Sequence, residues 1–342
     1  MISTLWSYNP KETFLQAGCY VIGFMALFCF ADIRPQLTAK KLVNLITWVS
    51  AMSWLLLIIA PGVAALAEDL HRLNGIMIHC QRLALLSGTG LLLFLTLEVQ
   101  KMRTKEDRTS VPFREKMRVL FFLITLLATK TRFFTTIILA AAATLYYSKV
   151  SPAIKFLFVA TAIAATCFIV FESNFISNLY DRGESKDETL SGRTTIWVKS
   201  IGMINAKLWA GYGFSTFYSD LTSWFFSDYI APHAHNTWIN AAFETGIIGA
   251  GLMTIALLTG ITAYIRIYLR DKVLPTGALI WVVVILGGAM GVIYGGKINP
   301  FVGITLLLLM QELMKEATGH VKQRGSSLFR HISFSLPASS RH

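Results

Sequence analysis

The chain has 342 residues, of which 54% are hydrophobic and 15% charged, with a mean hydropathy of +0.55. A soluble domain carries about a quarter charged residues, so this composition excludes an ordinary soluble enzyme. The formal net charge of +12 would fit a nucleic-acid binder, but the placement of the cations argues against nucleic acid and for a membrane.

In chain order, apolar runs expected to cross a bilayer occupy 13–31, 43–64, 79–98, 117–129, 132–148, 153–171, 236–265, 276–294 and 299–314. The fourth and fifth are short, and Lys130 and Arg132 interrupt them, so a hairpin is expected there, with one long kinked helix as the alternative. Between these runs, Lys and Arg number three in 32–42, seven in 99–118, two in 149–155, three in 266–272 and five after 314. All of these segments fall on one side when 172–235 is placed outside, which is the positive-inside pattern and makes anionic membrane lipid the partner of the charge. The N-terminus is then expected outside and the C-terminus inside. The first apolar run lacks a basic start and a small-residue cleavage site, so no cleavable leader is expected. Cys19, Cys29, Cys80 and Cys167 all lie in apolar runs without metal-ligand spacing and read as core thiols.

The expected fold class is therefore all-α, a polytopic transmembrane bundle of about nine spans. Residues 1–315 form the membrane domain, with 172–235 as one large external loop, and 316–342 form a basic, disordered cytoplasmic tail. The loop is slightly acidic, seven acidic residues against five basic, which suits an external position. Within it Ser191 is a plausible N-cap for an amphipathic helix over 192–208. Trp197, Ile201, Ile204 and Leu208 form its apolar stripe, and Arg193 leans toward the same side. Gly211 and Gly213 end it, and the aromatic run from Phe214 to Tyr229 suits the headgroup level.

The candidate chemistry gathers around this loop. His235 stands at the start of the seventh run, and a histidine is the natural base for taking a proton from a sugar hydroxyl near neutral pH. Asn236, Asn240 and Glu244 follow at four-residue intervals, one polar stripe descending into the membrane that needs partners other than lipid. His233 reads as a loop residue. Arg193 offers a forked cation at a helix N-terminus, a natural phosphate site. Lys130 and Arg132 put two more cations in the hairpin turn, and Arg72 stands in a short external loop, with Arg82 and Lys297 weaker candidates. There is no Asp-x-Asp pair in the loop, no Walker loop and no Ser/His/Asp arrangement. No metal or other cofactor is expected, and arginine rather than magnesium is left to neutralise phosphate.

Arg72-x-x-Gly75, Thr131-Arg132, Gly192-Arg193-x-x-x-Trp197, Gly211-Tyr-Gly-Phe-x-x-Phe217, His235-Asn236 and Glu244-x-Gly246-x-x-Gly249 follow one another in this order. Together they resemble the O-antigen ligase and polysaccharide polymerase superfamily of bacterial inner-membrane proteins. Members of that family usually carry Ser where this chain has Thr131. The resemblance implies a metal-independent glycosyltransferase facing the periplasm. Its donor would be an undecaprenyl-diphosphate-linked glycan, and its acceptor a hydroxyl on a growing glycan or on lipid A–core. It also implies that Arg132 and Arg193 hold the diphosphate and that His235 is the base or an acceptor-positioning residue; Lys130 and Arg72 are further candidates for the diphosphate. Polymerase is the favoured form and ligase the alternative. A lipid-linked glycan transporter is disfavoured because the charges sit at the outer surface rather than mid-membrane and no repeat is visible. A non-catalytic scaffold for polysaccharide export is the remaining rival.

Overall fold

The computed structural model describes residues 2–65, 72–77, 79–103, 112–146, 193–223, 233–289, 291 and 300–333. The expected span 153–171, Ser191, Gly192, Lys297 and the aromatics 224–229 lie outside them. Every regular element among the described residues is helical. α1 (Pro10–Phe28) and α2 (Pro35–Ile59) lead to one short turn, α3 (Pro61–Ala64), then α4 (Cys80–Arg103), α5 (Phe113–Ala128) and α6 (Arg132–Tyr146). Beyond 192 come α7 (Arg193–Ala206), α8 (Asp220–Ser223), α9 (Thr237–Asp271), α10 (Ala278–Gly287) and α11 (Pro300–Ser333).

Among these, α2, α4 and α9 are long and apolar enough to cross a membrane. Their surroundings differ. The apolar window of α4 is 78% buried, whereas those of α2 and α9 are only 22% and 17% buried, so α4 is the hub and the other two face outward. Trp48 and Ile58 on α2, and Leu252 and Ile255 on α9, stand exposed. Contiguous apolar surface of this kind is unfavourable in water but is the expected lipid-facing coat of a membrane protein.

The expected hairpin forms. α5 ends at Ala128, Lys130 takes a left-handed φ of 48°, and α6 starts at Arg132. The Thr129 hydroxyl closes the turn on the Leu126 carbonyl at 2.7 Å and on the Thr131 hydroxyl at 2.9 Å. Both arms pack on α4, where Gly90 leaves room for Phe122 of α5 and Gly88 for Ile138 of α6. A Cβ at Gly90 would lie 2.8 Å from Phe122 Cζ, so the small residue sets how closely the helices approach. α6 therefore starts at the same end of the bundle as α4.

α9 is broken by Gly246, whose φ of 68° and ψ of −177° interrupt the helical ladder. The segment following α7 takes up the backbone groups that the break releases. Ile247 N–H donates to the Leu208 carbonyl at 2.9 Å, while the carbonyls of Phe243 and Glu244 accept from Tyr212 and Gly213 N–H at 3.0 and 2.8 Å. Here lies the reason for the two glycine motifs: each strand of this contact is backbone against backbone. A Cβ at Gly211 would meet Gly246 N and Phe243 O at 2.6 Å, and one at Gly246 would meet the Trp209 carbonyl. Replacing Gly246 with Val is expected to cost about 2–4 kcal/mol, from positive-φ strain plus the clash. Thermal melting in detergent reads this directly, with Gly202→Ala on α7, where no atom stands within 4 Å of the added carbon, as the unaffected control.

The N-terminal segment docks on the same glycine loop. Tyr8 N–H donates to the Tyr212 carbonyl at 2.8 Å, and the Trp6 indole to the Ala210 carbonyl at 3.0 Å. α10 is shorter than the run 276–294 suggested, with ten residues. Its start is held by Glu312, which accepts from Thr276 N–H at 2.9 Å, and by Gln100, which donates to the Leu274 carbonyl at 2.7 Å. α11 continues to Ser333, past the expected end of its span at 314, and its Glu316 pairs with Arg266 and Arg270 of α9 at 3.1 and 2.9 Å. The first part of the expected disordered tail is thus helical; residues after 333 lie outside the description.

Candidate active site

Four helices begin at one end of the bundle: α4 at Cys80, α6 at Arg132, α7 at Arg193 and α9 at Thr237. A network of bonds between them fixes this convergence. Arg72, ahead of α4, donates from Nε to the Thr129 carbonyl at 3.5 Å, and Leu73 N–H donates to Ala128 at 3.0 Å, tying that loop to the hairpin turn. Trp197 in the first turn of α7 donates its indole N–H to the Ala234 carbonyl at 2.8 Å. Thr237 donates its N–H to Gly288 at 2.8 Å and its hydroxyl to Gly291 at 2.9 Å, while Asn236 donates to Ala289 at 3.1 Å. Gly291 in turn packs beside Phe134, in the first turn of α6. Each helix N-terminus directs the positive end of its dipole toward this place.

The polar residues that follow His235 are mostly scaffolding. Asn236 caps α9, its Oδ1 accepting from Trp238 and Ile239 N–H at 2.9 and 3.0 Å. Asn240 is buried and accepts from Ala234 N–H at 3.2 Å, which pins the loop carrying the histidines. Glu244 is buried lower down, where α9 meets the glycine loop. The expected stripe on α7 is split: Ile196, Ser200 and Ile204 face the protein, while Ile201 and Leu208 are exposed. Arg193 is half-buried on the Ile196 and Trp197 side.

His235 has a left-handed φ of 51°, and with Lys130 it is one of the two site residues held in that sparsely populated region. Its N–H donates to His233 Nδ1 at 3.2 Å, and the two rings lie 4.2 Å apart, edge to face. His233, read from the sequence as a loop residue, is therefore part of the site. His79 belongs to it too, and sequence reasoning missed it. The available signal was a histidine three residues before an arginine (Arg82) at the head of a span, as His235 heads the later one.

The electrostatics show which cations share this space. Burial, then His79, Arg193 and Arg82, lowers the His233 pKa to about 4, against one backbone bond that raises it. Burial, then His233, Arg193 and His79, lowers that of His235 to about 3. Both rings are therefore neutral at physiological pH. His235 Nδ1 is buried with no hydrogen-bond partner among the described residues, the kind of orphan that a bound group completes.

The sign of the pH dependence follows. An unfolded chain takes up these protons near the ordinary value of 6.5, the folded site only near 4 and 3. Their contribution to stability is complete above about pH 6.5 and is lost as pH falls toward those values. Melting scans at pH 7.5 and pH 5 are expected to show a larger drop for the native chain than for His233→Asn/His235→Asn. Equal drops would mean that the rings are solvated.

Residues 118–254 match the O-antigen ligase family. Over 94 residues the chain is also 32% identical to the exopolysaccharide production protein ExoQ of Rhizobium meliloti (strain 1021), which covers 25% of this chain and 22% of that relative. Over these residues the chain is similar to the O-antigen ligase family and to an exopolysaccharide production protein. The alignment with the ExoQ relative thus spans about a fifth of its length. The family match takes in Lys130, Arg132, Arg193 and His235, together with both glycine motifs. Arg72, His79 and Arg82 reach the O-antigen ligase-like stretch only through the fold.

Proposed function

We propose that this protein is a multi-pass inner-membrane glycosyltransferase that moves a glycan from an undecaprenyl-diphosphate-linked donor to an acceptor hydroxyl at the periplasmic face. The observation that carries this reading is the convergence of four helix N-termini with Arg193 and a pair of neutral histidines. Guanidinium forks and the positive ends of helix dipoles suit a diphosphate, and a fixed positive field is worth most where negative charge develops. A lipid tail would lie among the exposed apolar faces, with its diphosphate at the helix mouths. The basic segments, the 316–342 tail included, would face the cytoplasm.

In the proposed reaction the acceptor hydroxyl attacks the anomeric carbon on the face away from the diphosphate, inverting it. The bond from the anomeric carbon to the phosphate oxygen breaks, and undecaprenyl diphosphate leaves as an anion held by Arg193 and Arg132, with Lys130 and Arg72 in support. The hydroxyl proton passes to His235. In the free site burial, then His233 and Arg193, keep this imidazole a weak base; the negative donor offsets the cationic part, so loading the donor strengthens the base. A site already carrying Arg72, Arg82 and Arg193 repels a divalent cation, which supports a metal-independent reaction.

Likeness to an exopolysaccharide production protein favours a polymerase joining repeat units, with ligation to lipid A–core as the alternative. The test is the purified full chain in proteoliposomes supplied with undecaprenyl-diphosphate-linked repeat units. A ladder of longer lipid-linked glycans is expected, undiminished by EDTA. Product only when lipid A–core is added would select the ligase, and no product with either acceptor would overturn the enzyme reading. Loss of product in EDTA would overturn its metal independence.

A further inference from the structure

At the end of the bundle opposite His235, a cavity of about 360 Å³ opens between the first turns of α2, the last turns of α4 and the first turns of α5. Lys40, Lys101, Arg114 and Arg118 line it, against two carboxylates, Glu98 and Glu115. Lys101 pairs with Glu98, and Arg118 with Glu115 at 3.3 Å. Lys40 and Arg114 have no carboxylate within ion-pairing reach among the described residues. The N-terminus of α5 adds its free amide groups to the same rim. Val43, Phe94 and Leu97 form an apolar wall, with Asn44 at the mouth. It runs out to exposed apolar side chains on the same helices, Leu45 on α2 and Met117 and Leu120 on α5.

We propose that this cavity is a specific binding site for an anionic phospholipid, its phosphate held by Lys40 and Arg114 and its acyl chains lying along the apolar groove between α2 and α5. The cation excess calls for an anion, and the apolar wall that continues onto the outer faces of the helices calls for hydrocarbon attached to it. A free phosphate satisfies only the first demand. The size is that of a small-molecule site, room for a headgroup and the first carbons of the chains.

The full chain, purified in detergent and titrated with phosphatidylglycerol, is expected to retain one lipid in native mass spectra, while phosphatidylcholine is shed. Lys40→Ala/Arg114→Ala is expected to weaken retention at least tenfold, and the charge-keeping pair Lys40→Arg/Arg114→Lys to preserve it. Asn44→Trp, which fills the mouth from an exposed position without touching a charge, is expected to lose the lipid as well and serves if the alanine pair does not fold. Glycerol 3-phosphate and inorganic phosphate form the soluble arm of the same titration, and neither is expected to displace the lipid. Equal retention by native chain and variants would overturn the site. Displacement by the soluble phosphates at comparable concentration would make it a phosphate site and overturn the lipid.

Discussion

Replacing His235 with Asn is expected to lower turnover by roughly 10²- to 10⁴-fold, the usual contribution of a positioned base. Asn is the informative substitution because position 235 sits at φ 51°, a region that Asn tolerates and Ala does not. The loop is otherwise held by neighbours, through Asn240 to Ala234 N–H and Trp197 to the Ala234 carbonyl, so the Asn variant should fold with an unchanged melting temperature. His235→Ala is expected to lose the same activity and some stability besides. Polymer formed at the native rate by the Asn variant would remove the imidazole from the chemistry and leave it a structural ring set edge to face against His233.

Arg193→Lys is expected to lower kcat by roughly 10- to 100-fold, since one charged hydrogen bond of about 1.5–3 kcal/mol is lost when an ammonium replaces the fork. The effect should fall on kcat more than on KM, because charge on the diphosphate grows as the glycosidic bond breaks. Steady-state kinetics on the lipid-linked donor measure the split. Arg266→Lys provides the contrast: it lies at the opposite end, paired with Glu316, and should leave both constants unchanged. An Arg193→Lys variant with native kinetics would return this residue to a surface role.

Some of this was written plainly in the chain. Thr129 to Arg132, a short polar break between two apolar runs, is a hairpin turn because the hydroxyls and the left-handed Lys130 leave no continuous ladder. His235 stands at the start of the seventh apolar run, and α9 does begin there; that Asn236 caps it, rather than joining a polar stripe, came from the structure. The glycines at 211, 213 and 246 announced backbone that approaches something closely. Their spacing could not say that they approach each other, because the contact consists of main-chain bonds between residues about thirty apart.

The sequence alone determined that this is a helical membrane protein, since long apolar runs admit no other spanning structure. Helical periodicity also marked out faces. It could not name the partner of each face, which is why Ile201 and Leu208 were grouped with Ile204 although only the latter turns inward. Only the tertiary structure decided that α4, α6, α7 and α9 open at one place, bringing His79, His233 and Arg82 beside Arg193 and His235. The reason is physical: a helix places its N-terminus wherever its apolar stripe finds partners, and those partners, spread from residue 6 to residue 291, are fixed by packing rather than by local spacing.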